Sequence, residues 1–278
     1  MKNIISGFIP LLFFTVFWPC QEVNAQKKDK PVNIIFDSDM GPDYDDVGSL
    51  AILHAMADNG ECNILATISS NKHYLTAPTL SVLNTYFKRP DIPIGVVNGN
   101  GVDIPCPQKW DSLIVANYPH KIKSNDKAYD AVRLYRKILT GRPDKNVTIV
   151  TVGFLTNMAN LIQSGPDEFS PLTGRELVSK KVRLLVSMAG CFNNEIGSFK
   201  EFNLMKDAAA SKTAFDNWPT PVIFSGFEIG QKIHTGLPVM KSDIKNSPVK
   251  DVFARCIPLD KNDANGRMSW DETATLVD

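Results

Sequence analysis

The chain has 278 residues, of which 43% are hydrophobic and 22% are charged, proportions typical of a globular protein. Its 30 basic and 30 acidic side chains cancel, which excludes the strongly positive charge of most proteins that bind nucleic acids or anionic membranes. The length is enough for one large α/β domain or two small ones, and either has room for a substantial hydrophobic core.

The first 25 residues have the pattern of an export signal. Lys2 is followed by the apolar run IISGFIPLLFFTVFW, and Ala25 provides a small residue at the cleavage edge. The apolar run is shorter than the roughly 20 residues that a membrane-spanning helix needs. We therefore predict a signal peptide over 1–25, a mature α/β domain over 26–278, and an exported protein, periplasmic or secreted, with no membrane attachment after cleavage. A lipid anchor at Cys20 stays open as a minor alternative.

Apolar, β-branched runs that alternate with amphipathic segments predict the secondary structure. The runs predict buried strands at 32–36, 63–69, 92–97, 147–152, 182–188 and 221–226. The amphipathic segments predict helices at 45–60, 77–89, 127–139, 155–163 and 205–217. Strands without polar alternation, separated by helices, indicate a parallel sheet that is covered on both faces. The prediction is one α/β domain with an open, mostly parallel, Rossmann-like sheet and helices on both faces.

Polar loops follow most of the predicted strands. Their sequences are DSDMGPDYDD, SNKH, NGNG, GFLTN, AGCFNNEIGSFKEFN and GFEIG. In open sheets of this kind, ligands bind beyond the carboxyl ends of the strands. We therefore expect these Asp-, Asn-, Gly- and Glu-rich loops to meet at one edge of the sheet and to form the functional site there.

The loop after the first strand, in IIFDSDMGPDYDD (34–46), holds five aspartates within ten positions. Their mutual repulsion must be offset, and carboxylate oxygens are the ligands that Ca²⁺ and Mg²⁺ prefer. A hard-cation site is therefore favoured over a solvated acidic turn. A second hypothesis is phosphoryl transfer, because the D-x-D after a strand resembles haloacid-dehalogenase-type phosphatases, with Asp37 as nucleophile and Asp39 as acid. Against it, Gly41 stands where that family has Thr or Val.

A third interpretation fits more of the chain. A strand that ends in D-x-D, a Gly-containing turn and an Asp-Asp pair that opens a helix are similar to the N-terminal fingerprint of the nucleoside hydrolases. Further blocks that resemble this family follow in its order: IVTVGFLTNMANLI (149–162), LVSMAG (185–190), KEFN (200–203) and SWDETATLV (269–277). The resemblance implies the family's fold and hydrolysis of the N-glycosidic bond of small ribonucleoside-like molecules by direct attack of water, with Ca²⁺ as the cofactor.

The same resemblance implies a metal site and a catalytic base. Asp39 would be a calcium ligand and the base that takes a proton from the attacking water. Asp46, the backbone carbonyl of Val152 and Asp271 would be the other ligands of the ion. Asn71, after the second strand, would lie beside the catalytic water.

It also implies a substrate site. Asp45 would accept a hydrogen bond from a ribose hydroxyl, and Glu201 and Asn203 would bind the ribose as well. We expect Asn194 to line the 5′ end of the sugar, with a surface loop as the alternative. Trp270 would stack on the base.

The chain departs from the family pattern in three ways. The turn MGPDY is two residues longer than the commoner form, which leaves Asp43 as an extra carboxylate, assigned to solvent or to a place beside the ligands. Trp270 stands where many members have a histidine that assists the departing base, and tryptophan cannot deliver a proton in that way. The sequence stops at Asp278, inside the helix that Asp271 is expected to open, so a truncated C-terminus is a further expectation.

These departures motivate an alternative: a non-catalytic, calcium-dependent ribose- or sugar-binding protein that keeps the fold. The phosphatase hypothesis ranks third. Members of the family commonly assemble, so the resemblance also implies a homodimer or homotetramer.

Overall fold

The computed structural model describes residues 30–193 and 199–277. The predicted signal peptide and Asn194 therefore lie outside the described residues. Seven parallel strands form the main sheet, in the order β4-β3-β2-β1-β5-β6-β7. They are β1 (Val32–Ser38), β2 (Cys62–Ser69), β3 (Ile94–Val96), β4 (Tyr129–Asp130), β5 (Val147–Thr151), β6 (Val182–Met188) and β7 (Val222–Ser225). The parallel sheet confirms the predicted α/β class.

Helices connect the strands and continue to the C-terminal end of the described chain. They are α1 (Asp45–Asp58), α2 (Thr76–Tyr86), α3 (Trp110–Asn117), α4 (Ala131–Thr140), α5 (Thr156–Gln163), α6 (Gly174–Lys181), α7 (Phe202–Lys206), α8 (Ala208–Asn217), α9 (Phe227–Gly230), α10 (Leu237–Lys241), α11 (Pro248–Cys256) and α12 (Trp270–Thr275). None of the helices in the described ranges has the length and hydrophobicity needed to cross a membrane.

The sheet has a separate hydrophobic core on each face. Helices α1, α2, α3, α11 and α12 contribute to one core, and α4, α5, α6 and α8 contribute to the other. Strand β1 contributes to both, because successive side chains of a strand point to opposite faces: Ile34 and Phe36 lie in the first core and Ile35 in the second. The apolar runs in the sequence are therefore continuous because both faces of each central strand are buried.

One predicted helix is divided in two. The segment predicted as a single helix over 205–217 forms α7 and α8, which meet at Asp207. The carboxylate of Asp207 accepts a hydrogen bond from the amide of Ala210 at 3.2 Å and another from the hydroxyl of Thr156 at 2.5 Å. Asp207 thus caps α8 and ties it to α5, and these bonds favour a helix start that the apolar spacing did not indicate.

A short pair of antiparallel strands near the C-terminal end was not predicted. Strands β8 (His234–Thr235) and β9 (Arg267–Met268) pair in antiparallel fashion. Directly after β9, the amide of Ser269 donates to the carbonyls of Gly230 and Ile233. Helix α12 then packs on α1, where Gly48 leaves room for the carboxylate of Glu272: a Cβ on Gly48 would lie 2.2 Å from Glu272 Oε1. The pairing of β8 with β9 therefore brings the end of the chain back to the loop after β1.

Candidate active site

The loops that follow β1 and β5 meet at the point where the order of the sheet changes direction. Strand β1 pairs with β2 on one side and with β5 on the other. Asp39 follows β1 and Gly153 follows β5, and a Cβ on Gly153 would lie only 2.3 Å from the backbone nitrogen of Asp39. Only glycine permits this approach. A ligand site is expected at such a switch point of a parallel sheet.

A cavity of about 270 Å³ opens at this edge. It is lined by Asp39, Asp43, Asp45, Val152, Met188, Glu201, Phe202, Asn203, Phe227, Arg267, Trp270 and Asp271. The lining has an acidic part, built from five carboxylates, and an apolar part formed by methionine and aromatic side chains. Such a cavity can hold a small ligand that has hydroxyl groups on one side and a planar ring on the other.

Asp46, next in the chain to the cavity residue Asp45, is a buried carboxylate with no hydrogen-bond partner in the described part of the chain. It is 0% exposed, and neither carboxylate oxygen has a hydrogen-bond partner among the described residues. The Ser38 hydroxyl and the Met40 amide lower its pKa, but neither makes a hydrogen bond of normal geometry with it. Burial and then the charge of Asp45 raise the pKa of Asp46 to about 7. A buried carboxylate of this kind is expected to be neutral or to bind a cation.

Two more carboxylates share the environment of Asp46. Burial and then the charges of Asp46 and Asp45 raise the pKa of Asp39 well above its usual range. Burial, Asp45 and Asp46 do the same to Asp271, which lies in the first turn of α12. Oxygen donors at this density suit a hard divalent cation, so the residues present fit the metal that the sequence predicts.

Arg267 is the functional residue that the sequence analysis missed. Its Nε and Nη2 atoms donate to Asp45 Oδ1 at 3.1 and 2.8 Å, and Nη2 lies 2.7 Å from Asp43 Oδ2. Burial opposes its charge, but Asp43 and Asp45 outweigh burial and raise the pKa of the guanidinium. Asp45 would also have a raised pKa from burial alone, yet Arg267 lowers it below the ordinary value.

This ion pair decides which carboxylates remain for a metal. Asp43, Asp45 and Asp271 bring carboxylate oxygens within 4.8 Å of one another. The single positive charge of Arg267 is shared by the first two, whereas the described part of the chain offers no such partner to Asp46. The unpaired negative charge therefore lies with Asp39, Asp46 and Asp271 rather than with Asp43.

The longer turn is a packed element. Tyr44 is buried, and its hydroxyl donates to Asp263 Oδ2 at 2.5 Å. Its ring contacts Phe253 edge-on and lies 4.9 Å from the guanidinium carbon of Arg267. Asp43, predicted in solvent or beside the ligands, has a side chain that is 43% exposed and pairs with Arg267. Tyr44 and Arg267 hold the two additional residues of the turn in place.

Glu201 and Asn203, which are predicted to bind the ribose, lie in the cavity wall, and both also make structural hydrogen bonds. The Glu201 carboxylate accepts the amides of Asn203, Leu204 and Gly190 at 2.7, 3.0 and 3.1 Å, so it caps α7 and fixes the loop after β6. Asn203 Nδ2 donates to the carbonyl of Val152 at 3.1 Å. Val152 lines the cavity, and its carbonyl oxygen keeps a second lone pair for another contact.

Asn71 does not line the cavity. Its Nδ2 donates to the carbonyl of Ile104 at 2.8 Å, and its Oδ1 accepts the amides of Ile104 and His73 at 3.0 and 3.1 Å. Both lone pairs of the side-chain oxygen are therefore taken by the backbone. In the structure Asn71 holds the loop around Ile104, and its place beside the catalytic water stays a prediction.

The apolar part of the cavity is centred on Trp270. Its indole nitrogen donates to the carbonyl of Phe227 at 2.9 Å, and the two rings stack with centroids 5.2 Å apart. Phe227 in turn contacts Phe199, with ring centroids 4.5 Å apart. Trp270, which is predicted to stack on the base, thus lies in the cavity wall.

Asp37, the nucleophile of the phosphatase hypothesis, lies outside the cavity. Its carboxylate accepts hydrogen bonds from Tyr135 at 2.8 Å and from Asn157 at 2.9 Å. Burial raises its pKa to about 7, although both hydrogen bonds lower it. The residue therefore has a structural place between β1 and the helices α4 and α5, and the phosphatase hypothesis loses its nucleophile.

Comparison with protein families gives a match to the inosine-uridine preferring nucleoside hydrolase family over residues 34–277. Among solved structures, a plant nucleoside hydrolase is similar, with a TM-score of 0.62 and 21% identity over 88% of this chain and 78% of the other. A purine-preferring ribonucleoside hydrolase from Gardnerella vaginalis has a TM-score of 0.64 and 16% identity over 88% and 79%. An inosine-guanosine nucleoside hydrolase has a TM-score of 0.61 and 20% identity over 88% and 78%. No curated protein sequence matches the chain.

Proposed function

Because the chain belongs to the inosine-uridine preferring nucleoside hydrolase family and is an N-ribohydrolase, we propose that it hydrolyses ribonucleosides with the help of a Ca²⁺ ion, by direct attack of water. The observation that carries this proposal is the buried, unpartnered carboxylate of Asp46 beside a cavity with an acidic and an aromatic part. The acidic part suits the sugar and the aromatic part suits the base.

Asp39, Asp46, Asp271 and the carbonyl of Val152 would hold the ion. Three carboxylates and a carbonyl favour Ca²⁺, which takes roughly six to eight oxygen ligands, over Mg²⁺, which prefers to keep several waters. When bound, the ion would supply a Lewis acid that makes water more acidic and that orients sugar hydroxyls.

The chain's own carboxylates would carry out two further tasks. Asp39 would accept a proton from the attacking water, and its raised pKa is the direction that a general base needs. The lowered pKa of Asp45 keeps that carboxylate ionised. An ionised carboxylate in the cavity wall would stabilise the positive charge that develops on the ribosyl ring as the C–N bond breaks.

The remaining wall residues would bind and orient the substrate. Glu201 and Asn203 are fixed by backbone hydrogen bonds, so little entropy is lost when they bind the ribose. Trp270 would stack on the base, and its own position is fixed by Phe227. Asn194 stays a proposal for the 5′ end of the sugar.

Free ribose release from adenosine, inosine, guanosine, uridine, cytidine and nicotinamide riboside tests this function. We expect release from at least one riboside with Ca²⁺ and none with EDTA. The Asp39→Asn variant should still bind ribose but should not turn over. A wild-type protein that binds calcium and ribose and releases nothing from any riboside would contradict hydrolysis and would favour a sugar-binding protein.

Export and assembly are also part of the proposal. The N-terminal pattern supports cleavage near Gln26, and N-terminal sequencing of the protein from a periplasmic or culture fraction tests it. A chain that keeps Met1 in the cytoplasmic fraction would contradict export. Light scattering of the purified protein distinguishes a homodimer or homotetramer from a monomer.

A further inference from the structure

Among the described residues, the cavity lining contains no histidine, and the basic residue in it is Arg267. When a C–N glycosidic bond breaks, the electron pair of the bond leaves with the base. The departing base then needs either a proton or a nearby positive charge. Trp270 supplies an aromatic face but has no acidic proton for this purpose.

Arg267 is placed between the acidic and the aromatic parts of the wall. Its guanidinium carbon lies 4.9 Å from the centroid of the Trp270 ring, and its side chain is 9% exposed. Three contacts to Asp45 and Asp43 fix Nε and Nη2. The charge is therefore held in one position before any substrate arrives.

The other terminal nitrogen of Arg267, Nη1, has N–H groups without an acceptor among the described residues. Nη1 makes no hydrogen bond within the described part of the chain, and its ion-pair contact, Asp263 Oδ2, lies 3.8 Å away. That distance is too long for a hydrogen bond. Arg267 lines the cavity, and Nη1 is the guanidinium nitrogen that is not committed to Asp43 or Asp45.

We propose that Arg267 stabilises the departing base: Nη1 donates a hydrogen bond to a heteroatom of the base, and the fixed guanidinium charge compensates the negative charge that the base acquires. This inference rests on the proposed function. It assigns to this chain a leaving-group residue that differs in chemistry from a proton donor.

The step balances without proton transfer from Arg267. The C1′–N bond breaks and its electron pair stays on the base, while the oxygen of water bonds to C1′ and one water proton passes to Asp39. The base leaves as an anion paired with the guanidinium and takes a proton from solvent. Asp43 and Asp45 raise the pKa of Arg267 despite its burial, so the guanidinium keeps its own protons.

The test compares two leaving groups in one protein. The first substrate is the purine or pyrimidine ribonucleoside of the panel that wild type cleaves fastest, because its base leaves as an anion, whereas nicotinamide would leave neutral. The second is p-nitrophenyl β-D-ribofuranoside, whose phenolate is already a stable anion. We expect Arg267→Gln to lower kcat by about 100-fold for the natural substrate, the usual effect of removing one such donor, and by about tenfold or less for the nitrophenyl riboside.

Tyr44→Phe is the matched control, because it loosens the same turn and keeps the guanidinium. It should slow both substrates by the same factor. Melting curves and calcium-binding isotherms of each variant show that the fold and the metal site persist. If Arg267→Gln does not fold, Arg267→Lys provides the comparison, because its ammonium keeps the charge and lacks the Nη1 donor; it too should slow the natural substrate more.

Equal losses for both substrates in the arginine variant that folds would overturn the proposal and would leave Arg267 as a residue that only holds the turn. A wild-type protein that cleaves neither substrate would instead overturn the proposed function, so the two failures are distinguishable.

Discussion

Arg267 and Asp45, which are 222 positions apart in the chain, are joined by two hydrogen bonds of 3.1 and 2.8 Å. The contact connects strand β9 with the first turn of α1. It keeps Asp45 ionised, since the guanidinium lowers the pKa of that carboxyl. It also leaves Asp46, the next residue, as the buried acid without a counter-charge in the described chain.

Replacement of Asp46 by Asn should weaken calcium binding while leaving the metal-free protein at least as stable. The change removes a buried charge that has no partner, so the melting temperature without metal should stay the same or rise. Affinity for Ca²⁺, measured by isothermal titration, should fall by at least about 100-fold, since even residues behind the ligands contribute up to that much. Asp43→Asn is the control, because Asp43 already pairs with Arg267; a similar loss of affinity there would contradict the assignment.

The stability of the metal-free protein should fall between pH 5 and pH 8. The pKa of Asp46 in the folded chain, about 7, lies above its ordinary value of 3.8, so the folded state holds this proton more tightly than the unfolded state. That stabilisation is fully present below about pH 4 and is lost as the pH rises through about 7. Asp37, with its pKa also raised to about 7, acts in the same direction.

Thermal melting in EDTA at several pH values checks this expectation. Saturating Ca²⁺ should raise the melting temperature more at pH 8 than at pH 5, because the ion competes with protons for the same carboxylates. In Asp46→Asn both pH effects should shrink. A melting temperature of the metal-free wild type that rises steadily from pH 5 to pH 8 would contradict the raised pKa.

Replacement of Gly153 by Ala should damage both stability and activity. The new Cβ would lie 2.3 Å from the Asp39 nitrogen and 2.6 Å from the Ser70 hydroxyl, so the loop after β1 must move. Overpacking of this kind costs about 1–3 kcal/mol, and the movement displaces Asp39. Gly165→Ala is the control, because a Cβ there meets nothing within 4 Å. Chemical denaturation and kcat report the two effects; an active, fully stable Gly153→Ala would show that this approach is not required.

Replacement of Glu201 by Gln should raise KM clearly and should lower the free energy of unfolding only slightly. One carboxylate oxygen that accepts backbone amides becomes an NH₂ group, so the cap of α7 weakens by about 1 kcal/mol and the wall that carries Asn203 loosens. Glu176→Gln weakens a comparable cap at the surface helix α6, which contributes no residue to the cavity lining. The control should lose similar stability and keep its KM. Equal KM values for both variants would assign Glu201 a structural role alone.

The fold could be predicted from the sequence where burial is nearly complete. The apolar runs that became β1, β2, β5 and β6 are buried on both faces, so their composition alone distinguishes them from loops. Strands β4, β8 and β9 have two residues each, which is too short for any periodic signal. Helix α6 was not predicted, although a capping box, Thr173 with Glu176, indicates its start in the sequence.

The site could be predicted only as far as chain order and strand ends allow. Asp39 and Val152 follow neighbouring parallel strands, so their convergence is a consequence of topology. Arg267 belongs to no motif. Its contact with Asp45 depends on the pairing of β8 with β9, which joins residues 234–235 to 267–268. The hydrogen bonds of Asn71 with the backbone of Ile104 are equally invisible in the sequence, because a buried asparagine serves a loop and a substrate with the same atoms.

We have proposed that Asp39, Asp46 and Asp271 hold a calcium ion that hydrolysis requires. The most direct test measures the rate of ribose release from the fastest riboside while chelator-treated protein is titrated with Ca²⁺, with wild type and Asp46→Asn side by side. We expect no release without the ion, saturable recovery in wild type, and recovery in Asp46→Asn only at much higher Ca²⁺ or not at all. Full activity in excess chelator, or identical titration curves for the two proteins, would contradict this proposal.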